Sequence, residues 1–370
     1  MRRSTVTAAS LLLVLTACAP RSHTARSSPA DAAVLATLDA RVPQWLAQYQ
    51  VPSISIAYVR NGAIVWTRAY GEQSDGTPAT GWTLYNVASL TKPVFAELMV
   101  RLAAAGRISL DEPMSPYWVD PDLARDPRHA RLTPRMALSH RIGFANWRRE
   151  TGDTLRFGFE PGTSFHYSGE GYEYASHFVQ RKLGASLESL AREYVFRPFG
   201  MENTSWARQP WFDGRTAIPK GGDGKYGSPD FSPNGNAADN LWTTAGDYAL
   251  FLIGVMGRRG LPARFADQRD SIHSLGVADG AGCDPKKVRR CPSPFGYSLG
   301  WSVMEYPDGP VLWHTGADWG EKAMAFWLPK RREGMVLLTN GARGFEPMIE
   351  IIPLVVPGTD FADFIAAARR

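Results

Sequence analysis

The chain places its β-forming segments near its two ends and keeps a long, mostly helical stretch between them. Residues 53–60 and 63–70 are rich in β-branched and aromatic side chains, and Asn61-Gly62 between them is typical of a two-residue hairpin turn. The later runs of this kind are residues 297–305, 311–314, 322–328 and 335–339. We therefore predict an α+β fold, with one antiparallel sheet built from both chain ends, flanked by helices, and a mainly helical inserted domain.

Apolar residues at helical spacing predict helices over residues 31–49, 191–199 and 243–255, and a last helix from about residue 359 to the end. Residues 209–240 are rich in Gly, Pro, Asp and Asn, which is typical of a surface loop, here one bordering a cleft. An active site is expected at the seam between two domains. The predicted domains are a sheet domain of residues 31–88 and 286–370 and a helical domain of residues 89–285.

The N-terminus has the pattern of an export signal. Arg2 and Arg3 precede an apolar stretch at 8–15 that is short for a bilayer span. The following Leu-Thr-Ala-Cys resembles a bacterial lipobox, so residues 1–17 are predicted to be removed, Cys18 to be acylated, and 18–30 to form a flexible tether. The alternative is an ordinary cleaved signal ending near the same place. Either way we expect an exported protein, and the lipobox pattern predicts that it is lipid-anchored at Cys18 on the periplasmic side of a membrane.

The cysteines predict a disulfide, whereas the histidines, the lack of a phosphate loop and the net charge argue against metal, cofactor and nucleic-acid binding. In an oxidising compartment, Cys283 and Cys291 in their polar loop are predicted to form a disulfide. The seven histidines show no metal-ligand spacing, and no Gly-rich phosphate loop precedes a helix, so neither a metal nor a cofactor is expected. The formal net charge of +5 is too small and too dispersed to indicate binding to nucleic acid.

The Ser-Leu-Thr-Lys sequence at 89–92 offers a nucleophile and a base on one helical turn. A serine hydroxyl needs a neighbour that takes its proton, and positions i and i+3 of a helix share a face, so the Lys92 amine can reach the Ser89 oxygen. A lysine in a dry pocket can act as a base because burial disfavours its charged form. Taken alone, the same four residues are equally compatible with a surface serine and lysine at a helix start.

Two further motifs follow in a set order: Tyr-Ser-Gly at 167–169 and His-Thr-Gly at 314–316. With the stretches 132–143, 161–168 and 240–244, this order resembles the serine β-lactamase and penicillin-binding protein superfamily, particularly its class C β-lactamase, D,D-peptidase and family VIII esterase branch. The resemblance covers residues 31–345. It implies a β-lactamase/transpeptidase-like fold.

The resemblance also implies roles for individual residues. Ser89 would be the acylated nucleophile, Lys92 its base or proton relay, and Tyr167 the group that passes the proton to the leaving group. The third motif would form a substrate-binding strand edge, and the backbone N–H groups of Ser89 and Ala317 an oxyanion hole. The residues expected at that edge are His314, Thr315, Gly316 and Ala317. His140 is expected to be structural, and Trp319 to face the substrate.

Gly169 departs from the family pattern, because the penicillin-recognising members have Asn at this position. An ester lacks the amide donor that such an Asn recognises, so carboxylesterase-like activity is favoured over a D,D-carboxypeptidase or a β-lactamase. An alternative of another class is a catalytically silent envelope protein that binds peptidoglycan or a partner. The expected partners are a small-molecule or peptidoglycan-derived ester or amide substrate and a membrane reached through the lipid anchor, and we expect a monomer.

Overall fold

A computed structural model describes residues 28–233, 235–275 and 283–368. Residues 1–17 and Cys18 lie outside the described residues. The strands of the described chain are β1 (Ser53–Arg60), β2 (Ala63–Ser74), β3 (Thr77–Pro78), β4 (Tyr85–Asn86), β5 (Trp242–Thr243), β6 (Ser274–Leu275), β7 (Phe295–Tyr297), β8 (Ser302–Met304), β9 (Val311–Ala317), β10 (Lys322–Leu328) and β11 (Glu333–Thr339). Nine of them form one sheet in the order β3-β2-β1-β11-β10-β9-β8-β7-β6, with antiparallel neighbours.

The pairing of β1 with β11 joins the two ends of the chain at the centre of the sheet, with Ile56 opposite Leu337. The predicted fold class is therefore confirmed. The helices of the described chain are α1 (Pro29–Tyr49), α2 (Thr91–Ala104), α3 (Pro134–Leu138), α4 (Gly169–Leu183), α5 (Leu187–Ala191), α6 (Arg197–Phe199), α7 (Ala245–Met256), α8 (Ala263–Asp270), α9 (Phe345–Val355) and α10 (Asp360–Ala367).

Helices cover both faces of the sheet. Alternate residues of a strand point to opposite faces, so Ile54 and Ile56 of β1 join one buried cluster while Ala57 and Val59 join another. The first cluster also contains residues of α1, α9 and α10, and the second contains residues of α2 and α7. The inserted segment thus packs directly on the sheet, and the seam between them lies along β9 and the start of α2.

The structure corrects the predicted strand at 297–305, which is a hairpin of two short strands, β7 and β8. Gly300 in its turn has a φ of 92°, and a Cβ there would lie 2.5 Å from the Cβ of Ala96 in α2. Only glycine suits this backbone and this close approach. β6 also belongs to the sheet, although its residues fall inside the segment 89–285 predicted as helical.

Helix boundaries differ from the predictions in three places. The helix expected at 191–199 is divided into α5, a π-helical turn (Arg192–Phe196) and α6. The helix α9 was not predicted, since it carries Pro347 and Pro353, and proline usually ends a helix. Helix α1 begins at Pro29 with Ser28 as its cap, so the last residues of the expected tether are helical.

Cys283 and Cys291 form a disulfide, as the sequence predicted, with their Cα atoms 5.6 Å apart. Within the described part of the chain, none of the helices combines the length and the apolar character needed to cross a membrane.

Candidate active site

Ser89 lies in a 3-10 turn (Ala88–Leu90) that leads into α2. Ala88 has a φ of 46°, a conformation that a side chain rarely adopts, and its amide donates to Oδ1 of Asn86 at 2.9 Å. Strand β9 packs closely against this turn, because a Cβ at Gly316 would lie 2.0 Å from the carbonyl oxygen of Val87. The glycine of the third motif is therefore required for the contact between the strand and the nucleophile turn.

Lys92 is fully buried at the first turn of α2 and donates from Nζ to Oγ of Ser89 at 3.0 Å. The same Nζ donates to the carbonyl oxygen of Ala238 at 2.9 Å. Among the described residues no carboxylate forms an ion pair with Lys92. Three aromatic rings also lie near Nζ, with the centroids of Tyr167, Tyr172 and Trp147 at 4.8, 5.7 and 6.0 Å from it. The spacing prediction that Lys92 reaches Ser89 is confirmed.

Tyr167 lies immediately before α4 and lines a cavity of about 320 Å³ together with Ser89. We call it the aromatic cavity, because Tyr167, Phe295, Tyr297 and Trp313 all line it. Three distant segments thus converge on Ser89: the start of α2, the segment before α4, and strand β9. The three motifs that the family resemblance placed at one site therefore line the same cavity, and the role of Tyr167 in proton transfer stays a prediction.

Gly169 has a specific reason to lack a side chain. A Cβ at Gly169 would lie 2.7 Å from the Trp147 ring, so the indole occupies the space that a larger residue would need. The Gly169 amide donates to Oδ1 of Asn146 at 2.9 Å, and Asn146 lines the aromatic cavity. Next to Lys92, an aromatic ring therefore stands where an amide side chain was expected from the family pattern.

His314 lines the aromatic cavity, but both of its ring nitrogens are bonded within the protein. Nδ1 donates to the carbonyl oxygen of Thr315 at 2.6 Å, so Nε2 accepts from the Tyr297 hydroxyl at 3.0 Å. Burial, with the nearby charge of Lys92, lowers the pKa of His314 to about 3. A neutral histidine bonded in this way orients Tyr297. His314, Thr315 and Ala317 all line the aromatic cavity, and a substrate-binding role for each of them stays a prediction.

A second cavity, of about 620 Å³, is also lined by Ser89, and several carboxylates line it. We call it the acidic cavity; its acidic residues are Glu170, Glu173, Asp230, Asp239 and Asp318. Glu170 is bonded to Arg148 at 2.8 Å. In the described part of the chain the other four carboxylates have no ion-pair partner, although the side chain of Arg149 also lines the cavity.

Two of these carboxyl groups have raised pKa values. Burial, with the nearby Glu170, raises the pKa of Glu173 to about 7, although two backbone amides bond to it. Burial raises the pKa of Asp239 to about 6, with repulsion from Asp318 and Asp230 adding to the effect and Lys92 opposing it. Within the described ranges, no group of three His, Cys, Asp or Glu side chains is arranged to hold a metal ion.

The structure does not place Trp319 where the sequence suggested. Its side chain is 53% exposed and packs on Gly221 and Gly227, where a Cβ would lie 2.3 and 2.4 Å from the ring, and it lines neither cavity that reaches Ser89. Sequence reasoning did not select Asn146, Trp147 or Tyr297 as site residues, although it expected Trp147 in the core or the cleft wall, and it missed the acidic cavity. Asn146 and Trp147 follow the stretch 132–143 closely, which is the one signal that pointed to their neighbourhood.

Comparison with known proteins supports the same grouping. The family described as "Beta-lactamase" matches residues 38–356. Esterase EstB of Burkholderia gladioli is 26% identical over 271 residues, which are 54% of this chain and 69% of the esterase. A D-aminopeptidase of Gluconobacter oxydans is 26% identical over 327 residues, or 82% of this chain. The chain spans only 59% of the length of that aminopeptidase.

A solved structure has the same fold. The D-alanine carboxypeptidase AmpC of Burkholderia cenocepacia superposes with a TM-score of 0.72 at 20% identity, covering 88% of this chain and 98% of that one.

Proposed function

The chain belongs to the β-lactamase family, and on that premise we propose that it is a serine hydrolase, an exported carboxylesterase acting through an acyl-enzyme at Ser89. The observation that carries the proposal is the 3.0 Å hydrogen bond between Nζ of Lys92 and Oγ of Ser89 at the junction of two open cavities. A nucleophile that lines both cavities, in direct contact with a buried base, satisfies the geometric requirement for acyl transfer.

In the proposed reaction the Ser89 oxygen attacks the ester carbonyl carbon, and the proton of its hydroxyl group passes to the Lys92 amine. The carbonyl electron pair moves onto oxygen, where the backbone N–H groups of Ser89 and Ala317 would stabilise it. The carbon–oxygen bond to the alcohol then breaks, and the alcohol leaves with a proton relayed from Lys92 through Tyr167. Water then attacks the carbonyl carbon of the acyl-serine and gives a proton to Lys92. The bond between that carbon and the Ser89 oxygen breaks, which releases the acid, and the proton returns to the serine.

The preference for esters over amides rests on Gly169 and Trp147. An amide substrate presents an N–H that needs an acceptor, and leaving it unpaired in a dry site costs about 1–3 kcal/mol. The Trp147 ring fills the space beside Gly169 and offers no such acceptor. EstB, one of the relatives, is named as an esterase.

Export is proposed on the N-terminal sequence, with its two arginines, short apolar stretch and Cys18. The disulfide between Cys283 and Cys291 supports it, because such bonds persist in oxidising compartments.

A substrate panel tests the esterase proposal. We expect the wild-type protein to hydrolyse p-nitrophenyl acetate and butyrate, with slower or no turnover of nitrocefin and D-Ala-D-Ala peptides. Ser89→Ala should lose ester hydrolysis and also labelling by a fluorophosphonate, as read by intact mass. Nitrocefin turnover without ester cleavage would favour a β-lactamase. Absence of both turnover and labelling in the wild type would favour the catalytically silent binding protein.

The acidic cavity favours a second candidate, cleavage of an ester or amide whose acyl part carries a free amino group. An ammonium beside Ser89 would meet four carboxylates that lack ion-pair partners in the described chain. Attraction between opposite charges at short range exceeds that in water when the site is partly desolvated. The relative from Gluconobacter oxydans is named as a D-aminopeptidase, which agrees with this candidate.

Charge preference can be measured with the p-nitrophenyl esters of glycine and propionic acid, which are similar in size and differ in charge. We expect kcat/KM at pH 7 to be about tenfold higher for the glycine ester, equivalent to about 1.4 kcal/mol. The ratio should fall towards pH 5, because Glu173 and Asp239 take up protons as the pH passes below their raised pKa values of about 7 and about 6.

Asp239→Asn should reduce that ratio at pH 7. Asp267→Asn is the matched control, since Asp267 is an exposed carboxylate on α8 that pairs with Arg258 outside the cavity. A ratio near one in the wild type, or a ratio that Asp239→Asn leaves unchanged, would exclude the cationic substrate class.

A further inference from the structure

His140 is fully buried at the seam and has no part in the reaction described above. Its backbone adopts the left-handed conformation, with a φ of 57°. Its ring lies among aromatic side chains, with centroids 4.3 Å from Tyr167, 4.5 Å from Tyr297 and 5.2 Å from Tyr172. Sequence reasoning assigned it a purely structural role.

The contacts of His140 enclose one residue, Tyr167. The carbonyl oxygen of His140 accepts from the amide of His166 at 2.9 Å, immediately before Tyr167. Its Nδ1 accepts from the amide of Ser168 at 3.0 Å, immediately after Tyr167. Its ring packs on the Tyr167 ring itself at an interplanar angle of 35°. One residue therefore holds the backbone on both sides of the tyrosine and one face of its ring.

We propose that His140 is a positioning residue for Tyr167, holding the phenol in the geometry needed to relay the proton between Lys92 and the leaving group. The proposal rests on the proposed role of Tyr167 in acyl transfer. A displacement of about 1 Å in a reacting group can lower a rate about 100-fold, so a residue that fixes three points around Tyr167 controls the rate without touching the substrate.

The protonation state of His140 supports this role. Since Nδ1 accepts a hydrogen bond from Ser168, the ring proton of the neutral form is assigned to Nε2. Nε2 is buried and has no hydrogen-bond partner within the described residues. Burial, together with the charge of Lys92, lowers the pKa of His140 well below its usual range, so Nδ1 remains an acceptor.

Substituting His140 by asparagine or by leucine separates the effect of its hydrogen bond with Ser168 from the effect of its packing on the Tyr167 ring. Oδ1 of asparagine is attached to Cγ as Nδ1 is in histidine, and asparagine is among the non-glycine residues that most readily adopt a positive φ. His140→Asn therefore keeps the acceptor and loses most of the ring. His140→Leu keeps most of the volume and loses the acceptor.

The test is steady-state hydrolysis of p-nitrophenyl butyrate by these variants, together with thermal melting. We expect His140→Leu to lower kcat about 100-fold with KM changed less than about threefold, and His140→Asn to retain at least about a tenth of the wild-type kcat. His273→Leu is the matched control, because it loses a comparable bond, from Nε2 of His273 to the carbonyl oxygen of Gln268 at 2.8 Å, away from Tyr167. Its kcat should equal that of the wild type.

Equal kcat losses in the asparagine and leucine variants at similar melting temperatures would overturn the proposal, as would a leucine variant as active as the wild type. If the leucine variant does not fold, His140→Ala gives the same comparison with asparagine. A wild type without any Ser89-dependent hydrolysis would overturn the proposed function itself. Tyr167→Phe with unchanged kcat would overturn the role of the tyrosine on which the positioning rests.

Discussion

Lys92→Met is expected to lower kcat/KM for an ester at least about 1,000-fold while leaving the protein folded. The Ser89 hydroxyl would lose the amine bonded to it at 3.0 Å, and among the described residues no other base is hydrogen-bonded to it. Stability should change little, because two effects oppose each other. The substitution removes a buried amine that has no ion-pair partner among the described residues, and it leaves the carbonyl oxygen of Ala238 without its donor.

The control for this experiment is Lys182→Met. Lys182 donates to Oε1 of Glu112 at 2.6 Å and lines neither cavity that reaches Ser89. We expect this variant to keep its kcat/KM and to lose up to about 1 kcal/mol of unfolding free energy with the ion pair. Ester kinetics and chemical denaturation of both variants provide the comparison. A Lys92→Met protein within tenfold of wild-type activity would contradict the assignment of Lys92 as the base.

Gly316→Ala is expected to damage both activity and stability. The added Cβ would lie 2.0 Å from the carbonyl oxygen of Val87 and 3.0 Å from the amide nitrogen of Leu90. Both are backbone atoms, so either β9 or the nucleophile turn must move. Such a movement would displace Ala317 relative to Ser89. The backbone amides of these two residues form the proposed oxyanion hole. We expect kcat/KM to fall at least about 100-fold and the free energy of unfolding to fall by about 1–3 kcal/mol.

Gly246→Ala tests whether that effect is specific to β9. Gly246 lies in α7 with a single heavy atom, Oγ1 of Thr244, near the position of its Cβ at 3.8 Å. Alanine should fit there, leave activity unchanged, and stabilise the helix by up to about 1 kcal/mol. Ester kinetics and denaturation midpoints measure both variants. If Gly316→Ala were as active as Gly246→Ala, the close packing of β9 on the nucleophile turn would not matter for catalysis.

The nucleophile and its base were predictable because their contact is local. Ser89 and Lys92 are three residues apart, and one turn of 3-10 and α-helix brings their side chains together whatever surrounds them. The hairpin of β1 and β2 was predictable for the same reason, since Asn61-Gly62 determines its turn. Tyr167 and the third motif could be assigned only through the family pattern, because nothing in their spacing brings them to Ser89.

Other features of the site depend on contacts between residues far apart in the chain. The sequence shows that position 169 is glycine but not that the Trp147 ring fills the space beside it. It shows the carboxylates but not that Glu173, Asp239 and Asp318, from three segments, share one cavity. His314 was recognisable as part of a motif, yet its bond to the Tyr297 hydroxyl depends on the pairing of β7, β8 and β9.

Short-range information in the chain was sufficient for most of the sheet-forming segments, the nucleophile–base pair and the cysteine pair. These features arise from turns, helical periodicity and a short loop, whose geometry follows from neighbouring residues. Packing of the inserted segment on the sheet decided the charge of the cavities, the burial of Lys92 and the support of Tyr167 by His140. Burial and charge at a site are sums over every segment that meets there, so they exist only after the chain has folded.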